Sequence, residues 1–391
     1  MNRETELLHR GDRRSEWHGA VNPPVVHVSL YCFESLQQYL DTVEGKLQHY
    51  TYGRSGNPTT RVLEEKIAFL EKAEDALALA SGMAAITTAL LALLQTGDHL
   101  LVVSCVYGPV RAFCDTVLRK LGVETEYFSG REAADLSARI RPSTRLIYLE
   151  SPGSLTFAIQ DLRAVARVAR ERGVWTVIDN SWATPLYQNP IDLGIDVVVH
   201  SGTKYIAGHS DLLLGLVAGP TRLMTQIRRM ANLLGCTLSP DDAYLAIRGL
   251  RTLGVRMAQH QASALKVARW LQTRPEVREV LHPGLESFPG YALAKSQMSG
   301  YSGLFSFRLQ PRDRAAQHRF VDTSLKLFHL GYSWGGYESL IMPLLNSARN
   351  NPALRAELGL DDDIYRVSIG LEDPDDLIAV IEEALVAWAR D

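Results

Sequence analysis

The sequence predicts an α/β fold in which a mostly parallel sheet lies between helices, followed by a smaller C-terminal α+β domain. The main observation is that short, continuous apolar runs alternate with segments of helical period, which is typical of parallel strands buried on both faces. The 391 residues are 46% hydrophobic, which is enough for two cores. The strand-like runs cover residues 76–80, 99–103, 146–149, 175–178 and 197–199, and the helical periods between them cover residues 83–94, 110–121 and 162–170.

The chain before and after this alternating region has a different pattern. Residues 1–50 contain few regular features, are interrupted by Asn22-Pro23-Pro24, and predict an N-terminal arm. Asn57 can then cap a helix that has Pro58 at its first position. Late in the chain, a hairpin-like strand at residues 303–309 and a final helix at 377–388 predict the smaller domain. The predicted division is an arm at 1–50, a large domain at 51–245 and a small domain at 246–391.

Composition and charge argue against several classes of function. The formal net charge is -3 and no basic block is present, which argues against nucleic-acid binding. The longest apolar runs are too short to cross a membrane, and the N-terminus lacks the apolar centre of a signal peptide. The four cysteines and eleven histidines show no metal-ligand spacing. We therefore predict a cytoplasmic enzyme with reduced thiols and no metal, acting on a small molecule.

Four polar or aromatic groups directly follow predicted strands, at the edge where ligands bind in such sheets. In DVVVHSGTKYIAGHSD, Lys204 stands among small and hydroxyl residues where an apolar run ends. Asp179, Tyr107 and the helix start at Ser81-Gly82-Met83 follow three other strands. Each alone has an ordinary interpretation, as an exposed lysine, a turn former, a packed aromatic or a helix cap. Their convergence on one edge indicates a shared ligand.

The combination predicts pyridoxal 5′-phosphate as that ligand. A lysine amine forms a Schiff base with its aldehyde, and an aspartate keeps its ring nitrogen protonated. The N–H groups at a helix start bind a phosphate dianion, and Gly82 and Met83 would supply them here. The hydroxyl groups of Ser201 and Thr203, beside Lys204, can bond the same phosphate.

Ordered motifs along most of the chain resemble those of the Cys/Met-metabolism family of pyridoxal-phosphate enzymes. Within that family, GYSWGGYESL, ESPGS and KYIAGHSD are most similar to the bacterial cystathionine β-lyases. The resemblance implies the type I fold of PLP-dependent transferases with a seven-stranded sheet, an arm that contacts a neighbouring subunit, and a homotetramer. The matching stretches are YGRSGNPTTRVLEEKIAFLE, ASGMAAI, YGP, ESPGSLT, IDNSWATP, SGTKYIAGHSD, RGLRTLGVR, SWGGYESL and YRVSIGLEDPDDL.

The resemblance also implies a role for each matching residue. Lys204 would be the Schiff-base lysine and general base, Asp179 would bind the ring nitrogen, and Tyr107 would stack on the ring and assist proton transfer. Tyr52 and Arg54 would reach the phosphate from a neighbouring subunit. The implied cofactor-binding set is Tyr52, Arg54, Gly82, Met83, Tyr107, Asp179, Ser201, Thr203 and Lys204. The implied substrate-binding set is Arg366, which would hold the carboxylate, with Ser333, Trp334, Tyr332 and Tyr52.

The implied reaction is β-elimination on L-cystathionine, giving homocysteine, pyruvate and ammonia, as in trans-sulfuration and methionine biosynthesis. Two features leave a γ-elimination enzyme of the same family open, acting on cystathionine, methionine or a canavanine-like substrate. Gly56-Asn57 has the form found in γ-enzymes, and Asn232 stands where the best-studied β-lyase has a tyrosine. A catalytically silent, cofactor-binding regulatory protein is a more remote alternative, because the chain keeps both Lys204 and Arg366.

Overall fold

The computed structural model describes residues 2–130, 133–345 and 347–390. In these ranges the larger sheet consists of β1 Asp75–Leu79, β2 His99–Val103, β3 Glu124–Phe128, β4 Thr144–Glu150, β5 Trp175–Asp179, β6 Val197–Ser201 and β7 Gly215–Gly219. Their order across the sheet is β1-β7-β6-β5-β4-β2-β3, and β7 runs antiparallel to both of its neighbours while the other adjacent pairs run parallel. The prediction of a mostly parallel seven-stranded sheet is confirmed.

Two of these strands were not predicted from the sequence. The edge strand β3 has the sequence ETEYF, and only its last residue is buried, so it lacks a continuous apolar run. The strand β7 is fully buried but short, with a glycine at each end, so its sequence GLVAG is typical of a turn as much as of a strand. Hydrogen bonding to β1 and β6 on either side stabilises it as a strand.

The N-terminal arm contains more regular structure than predicted, with α1 at Arg3–His9 and α2 at Leu36–Val43. The second helix begins at the cap Ser35, whose side chain accepts a hydrogen bond from the Gln38 N–H group at 3.1 Å. Its apolar residues recur with helical spacing, but none is buried within one chain. The prediction of few regular features in this arm was therefore wrong, because Ser35 can cap a helix whose apolar residues are three or four positions apart.

Helices cover both faces of the larger sheet, as expected for a parallel sheet. The predicted cap of the first of them is present, since the Asn57 side chain accepts a hydrogen bond from the Thr59 N–H group at 2.8 Å. The helix predicted at residues 110–121 is α-helical only up to Phe113, and a π-helical segment follows at Cys114–Leu118. The helices are α3 Pro58–Glu71, α4 Gly82–Leu93, α5 Gly108–Phe113, α6 Ala133–Arg139, α7 Leu162–Arg172, α8 Thr184–Tyr187 and α9 Thr221–Leu234.

A second sheet and its helices form the C-terminal part of the chain. Its strands are β8 Val277–Leu281, β9 Leu304–Leu309, β10 His329–Leu330, β11 Leu340–Pro343 and β12 Ile364–Ser368, in the order β10-β11-β12-β9-β8. Its helices are α10 Pro240–Arg251, α11 Leu253–Gln272, α12 Tyr291–Gln297, α13 Arg314–Ser324, α14 Pro352–Glu357 and α15 Pro374–Ala389. The smaller α+β unit is thus present, while the boundary at residue 245 stays a prediction.

Packing brings the two sheets together at the end of β5. The Trp182 side chain is buried and donates a hydrogen bond from Nε1 to the Leu304 carbonyl of β9 at 2.9 Å. It belongs to the same apolar core as the small sheet, so the loop after β5 is held by both sheets. None of the helices in the described ranges combines the length and the apolar character needed to cross a membrane.

Candidate active site

The carboxyl ends of several parallel strands open into one cavity of about 320 Å³. The large sheet supplies one wall, and the small sheet supplies the other from β12 and the loop between β10 and β11. This is the edge at which the sequence predicted a ligand site. The predicted residues that line the cavity are Gly82, Met83, Tyr107, Asp179, Ser201, Thr203, Lys204, Tyr332, Ser333, Trp334 and Arg366.

The Lys204 amine lies between the two walls of the cavity. Its Nζ donates a hydrogen bond to Ser333 Oγ at 2.8 Å and lies 5.1 Å from the centre of the Trp334 ring. Burial, and then the charge of Arg366, lower the pKa of Lys204 to about 8, against the opposite influence of Asp179. A larger fraction of this amine is therefore unprotonated near neutral pH than for an ordinary lysine, which suits a nucleophile or a base.

The turn that carries Ser333 lies directly on the backbone of Lys204. Gly335 has φ +84°, and a Cβ atom there would lie 2.8 Å from Tyr205 N and 3.0 Å from the Lys204 carbonyl carbon. A side chain at this position would push the turn away from the lysine, so the glycine permits the contact between Ser333 and Lys204.

Asp179, the last residue of β5, receives two hydrogen bonds from Ser181. The Ser181 N–H and Oγ–H groups donate to Asp179 Oδ1 at 2.9 Å and 2.6 Å. Burial raises the pKa of Asp179, while these hydrogen bonds and the charges of His200 and Lys204 oppose that shift. The carboxylate is thus supplied with the donors and cations that favour its ionised form, as a partner of a protonated ring nitrogen requires.

The first turn of α4 faces the same cavity. The Ser81 side chain caps the helix by accepting a hydrogen bond from the Ala84 N–H group at 3.1 Å. A Cβ atom on Gly82 would lie 2.8 Å from Ser201 Cβ, so only glycine lets the helix start this close to β6. The Thr203 hydroxyl accepts from the Leu214 N–H group at 2.9 Å and donates to the Leu214 carbonyl at 3.3 Å, so its proton is already engaged. A phosphate contact by Thr203 therefore stays a prediction.

Arg366 projects from β12 into the cavity with its charge uncompensated. Its Nη2 donates a hydrogen bond to the Tyr332 carbonyl at 3.1 Å, and it forms no ion pair with any carboxylate in the described part of the chain. Its neighbour Asp362 pairs with Arg355 instead, at 3.0 Å. Burial lowers the pKa of Arg366, which means that the free protein bears a desolvated cation here. An anionic group on a ligand would neutralise it.

Within one chain, Tyr52 and Arg54 do not reach this cavity. Both side chains are exposed, the Arg54 guanidinium lies 5.7 Å from the centre of the Tyr52 ring, and it donates a hydrogen bond to the Asn232 carbonyl. Arg54 borders a separate cavity of about 310 Å³, which Gly56 and Asn232 also line. The two departures from the β-lyase pattern are therefore neighbours in space. Contact with a neighbouring subunit's phosphate stays a prediction.

The cavity also contains residues that the sequence analysis left without a role. Five of the eleven lie in the segment just after β4, where the motif ESPGSLT does not indicate which side chains face the ligand. Glu150 is the last residue of β4 and is buried, and Leu155 and Phe157 adopt positive φ values of 72° and 58°. The additional lining residues are Ile86, Glu150, Pro152, Gly153, Ser154, Leu155, Phe157, Ser181, Trp182, Leu213 and Leu304.

The residues present fit pyridoxal phosphate. The cavity provides an amine of lowered pKa at Lys204, a carboxylate with two donors at Asp179, and a helix start free of Cβ at Gly82. Tyr107, 47% exposed, supplies an aromatic ring to the wall. An aldehyde, a ring nitrogen, a phosphate and an aromatic ring thus each have a matching group.

Comparisons with known proteins identify the family. The family model for "Cys/Met metabolism PLP-dependent enzyme" matches residues 4–386. The chain is 43% identical over 387 residues to a Rhizobium johnstonii protein provisionally named cystathionine beta-lyase, covering 98% of this chain and 96% of that one. It is 38% identical over 389 residues to L-methionine gamma-lyase of Pseudomonas putida, covering 98% and 97%. The crystal structure of cystathionine gamma synthase from Xanthomonas oryzae pv. oryzae in complex with cystathionine has a TM-score of 0.92 and 36% identity, covering 99% and 98%. The chain therefore belongs to the Cys/Met metabolism family of PLP-dependent enzymes, and pyridoxal phosphate is its cofactor.

Proposed function

We propose that the protein is a carbon–sulfur lyase that performs β-elimination on L-cystathionine and releases homocysteine, pyruvate and ammonia. The observation that carries this proposal is the position of Trp334, 5.1 Å from the Lys204 amine, in a GYSWGGYESL motif of β-lyase form. γ-Elimination needs a second proton abstraction, from the β-carbon, and so requires a base with a wider reach. A large ring beside the amine restricts that reach. The Rhizobium johnstonii relative supports the same assignment.

Substrate binding, removal of the α-proton and protonation of the leaving sulfur each have a group of this chain to perform them, and water then hydrolyses the eliminated product to pyruvate and ammonia. Arg366 would bind the substrate α-carboxylate, with Ser333 alongside, and so orient the α-carbon. The cofactor, when bound, supplies an electron sink for the α-carbon. Lys204 would remove the α-proton, and Lys204 or Tyr107 would return a proton to the departing sulfur. The Asp179 carboxylate would accept a hydrogen bond from the protonated ring nitrogen and so keep the ring able to accept electrons.

A γ-elimination enzyme of the same family is the second candidate, and a specific observation favours it. Asn232 and Gly56 lie together beside Arg54, at a surface where the sequence has γ-enzyme features. The Pseudomonas putida relative is an L-methionine gamma-lyase. Substrates would be cystathionine, methionine or a canavanine-like amino acid, and the product would be 2-oxobutanoate or a related compound. A catalytically silent regulatory protein is the remote alternative, disfavoured because Lys204 and Arg366 face the same cavity.

One assay separates these candidates. Purified protein loaded with pyridoxal phosphate is incubated with cystathionine, cystine, methionine or canavanine, and the keto acid released is identified by chromatography. Pyruvate with homocysteine from cystathionine supports the proposal. 2-Oxobutanoate with cysteine supports the γ-lyase. No turnover on any of the four, with the cofactor still absorbing, supports the regulatory protein.

We also propose that the protein is a cytoplasmic homotetramer that serves trans-sulfuration and methionine biosynthesis. The apolar side chains of α2 support the oligomer, because Leu36 is 73% and Val43 is 66% exposed within one chain. The separation of Tyr52 and Arg54 from the cavity of their own chain supports it as well. Sedimentation velocity tests it, and a monomer at micromolar concentration with full activity would contradict it.

A further inference from the structure

Two carboxyl groups stand side by side in the active site. Glu150 ends β4 and Asp179 ends β5, and the two residues are paired in register between parallel strands. Their side chains therefore project from the same face of the sheet, with the backbones about 4.8 Å apart. Both line the cavity, and Glu150 is only 8% exposed. Two neighbouring carboxyl groups removed from water do not both ionise readily.

The surroundings of the two groups are unequal. Glu150 Oε2 accepts a hydrogen bond from the Tyr107 N–H group at 2.7 Å, and Glu150 Oε1 lies 2.6 Å from Ser154 Oγ. Glu150 forms no ion pair with a lysine, arginine or histidine in the described part of the chain. Asp179 likewise has two donors, both from Ser181, but the charges of His200 and Lys204 also favour its ionised form. When only one of the two carboxyl groups is ionised, the proton on the other one should therefore reside on Glu150.

We infer that Glu150 is a positioning residue that is protonated near neutral pH, donating to Ser154 Oγ while accepting from the Tyr107 N–H group. In this state Asp179 is the single negative charge of the pair. The Ser154 hydroxyl proton is then free to point into the cavity, and the Tyr107 backbone is fixed at the start of α5.

The electrostatics of the site agree with this geometry. Burial first, and then the charge of Asp179, raise the pKa of Glu150 to about 8, against the opposite influence of its hydrogen bonds from Ser154 and Tyr107. The other titratable groups that face Glu150 are Tyr148 and Cys105, and burial raises the pKa of both, so neither is charged near neutral pH. The charged residues Lys204 and Arg366 line the same cavity without pairing with Glu150.

Infrared spectroscopy on the cofactor-loaded protein tests which carboxyl group holds the proton. A protonated carboxyl group gives a carbonyl band that ionised groups lack, and its frequency depends on its hydrogen-bond partner. The chain offers a matched pair of variants, because Ser154→Ala removes the partner of Glu150 and Ser181→Ala removes the partner of Asp179. We expect a band at pH 7 that shifts in Ser154→Ala and stays in place in Ser181→Ala. A band that moves only in Ser181→Ala, or no band at all, would overturn the inference.

The pH dependence of stability provides a second readout. A carboxyl group whose pKa is raised by folding, here from 4.5 to about 8, favours the folded state most at low pH. That contribution is lost as pH rises through this window. Glu150→Gln retains an acceptor and a donor but cannot ionise. The difference in melting temperature, variant minus native protein, should therefore become more positive as pH rises from 5 to 8. The exposed change Glu124→Gln on β3 is the control and should show no such trend.

A Glu150→Gln difference that does not vary with pH would mean a purely structural role and would refute the proton assignment. The inference rests on the pyridoxal-phosphate site of the proposed function. Neither readout requires a substrate, so the wrong keto acid in the elimination assay leaves this inference standing. Conversely, failure of both readouts leaves the assignment of β-elimination untouched.

Discussion

The uncompensated charge of Arg366 makes its replacement the most informative perturbation of the site. Among residues 2–130, 133–345 and 347–390, this guanidinium has a carbonyl partner but no carboxylate partner, and Asp362 is already paired with Arg355. A bound amino acid would bring the missing carboxylate. Truncating one partner of a buried, hydrogen-bonded charge pair costs about 2–5 kcal/mol, so Arg366→Leu should lower kcat/KM roughly 30- to 4,000-fold.

Arg366→Lys is a milder change than Arg366→Leu and should give a smaller loss of kcat/KM. Arg366→Lys keeps the charge but loses one of two parallel hydrogen bonds, which costs about 1.5–3 kcal/mol, or roughly 10- to 150-fold. Because the carboxylate is bound equally before and during the reaction, most of the loss should appear in KM. Steady-state release of keto acid measures both constants. Arg355→Lys, outside the cavity, is the matched control and should stay close to the native values.

Two results would refute this reasoning about Arg366. The first is an Arg366→Leu enzyme whose kcat/KM is within threefold of the native value. The second is a loss confined to kcat with KM unchanged, which would assign the guanidinium to the chemical step instead of to binding. An amine ligand without the α-carboxylate offers an independent check, because it should bind the native protein no better than the variant.

Three further predictions concern Lys204 and its surroundings. Lys204→Ala should reduce turnover by at least on the order of 10³-fold and abolish borohydride trapping of the cofactor, whereas a variant with native turnover would contradict both proposed roles of the lysine. Cofactor uptake by the apoprotein, followed by visible absorbance, should accelerate as pH rises from 7 and level off above the pKa of Lys204 at about 8, because only the unprotonated amine attacks the aldehyde; a flat profile would contradict the lowered pKa. Trp334→Leu, which replaces the ring beside the Lys204 amine with a smaller side chain, should increase the ratio of 2-oxobutanoate to pyruvate from cystathionine, and an unchanged ratio would show that Trp334 does not determine the reaction.

The fold could be predicted from the sequence where burial leaves a periodic pattern. Continuous apolar runs identified β2 and β6 because both strands are covered on their two faces. The pattern fails for β3, which lies at an edge and begins with three polar residues, and for β7, whose pairing depends on neighbours distant in sequence. Local sequence does not encode those neighbours, so such strands become visible only in the assembled sheet.

The candidate site could be predicted in part, because the carboxyl ends of parallel strands lie at the same edge of the sheet. Lys204 and Asp179 could be grouped because each directly follows an apolar run. Glu150 also ends a strand, but a carboxylate has many ordinary interpretations, and its significance arises from its register with Asp179. Register is a property of the folded sheet, and the hydrogen bond from the Tyr107 N–H group that holds Glu150 is equally non-local.

The lowered pKa of Lys204 depends on contacts from both sides of the cavity. On one side, Arg256 of α11 donates hydrogen bonds to the carbonyls of Tyr205 and Gly249, at 2.7 Å and 2.8 Å, and so fixes the segment after the lysine. On the other side, the turn containing Ser333 lies against the lysine itself. Because burial is the largest cause of the lowered pKa, any motion that moved this turn away would rehydrate the amine and return its pKa toward 10.5. The lowered pKa of Lys204 therefore depends on the contact between this turn and the large sheet.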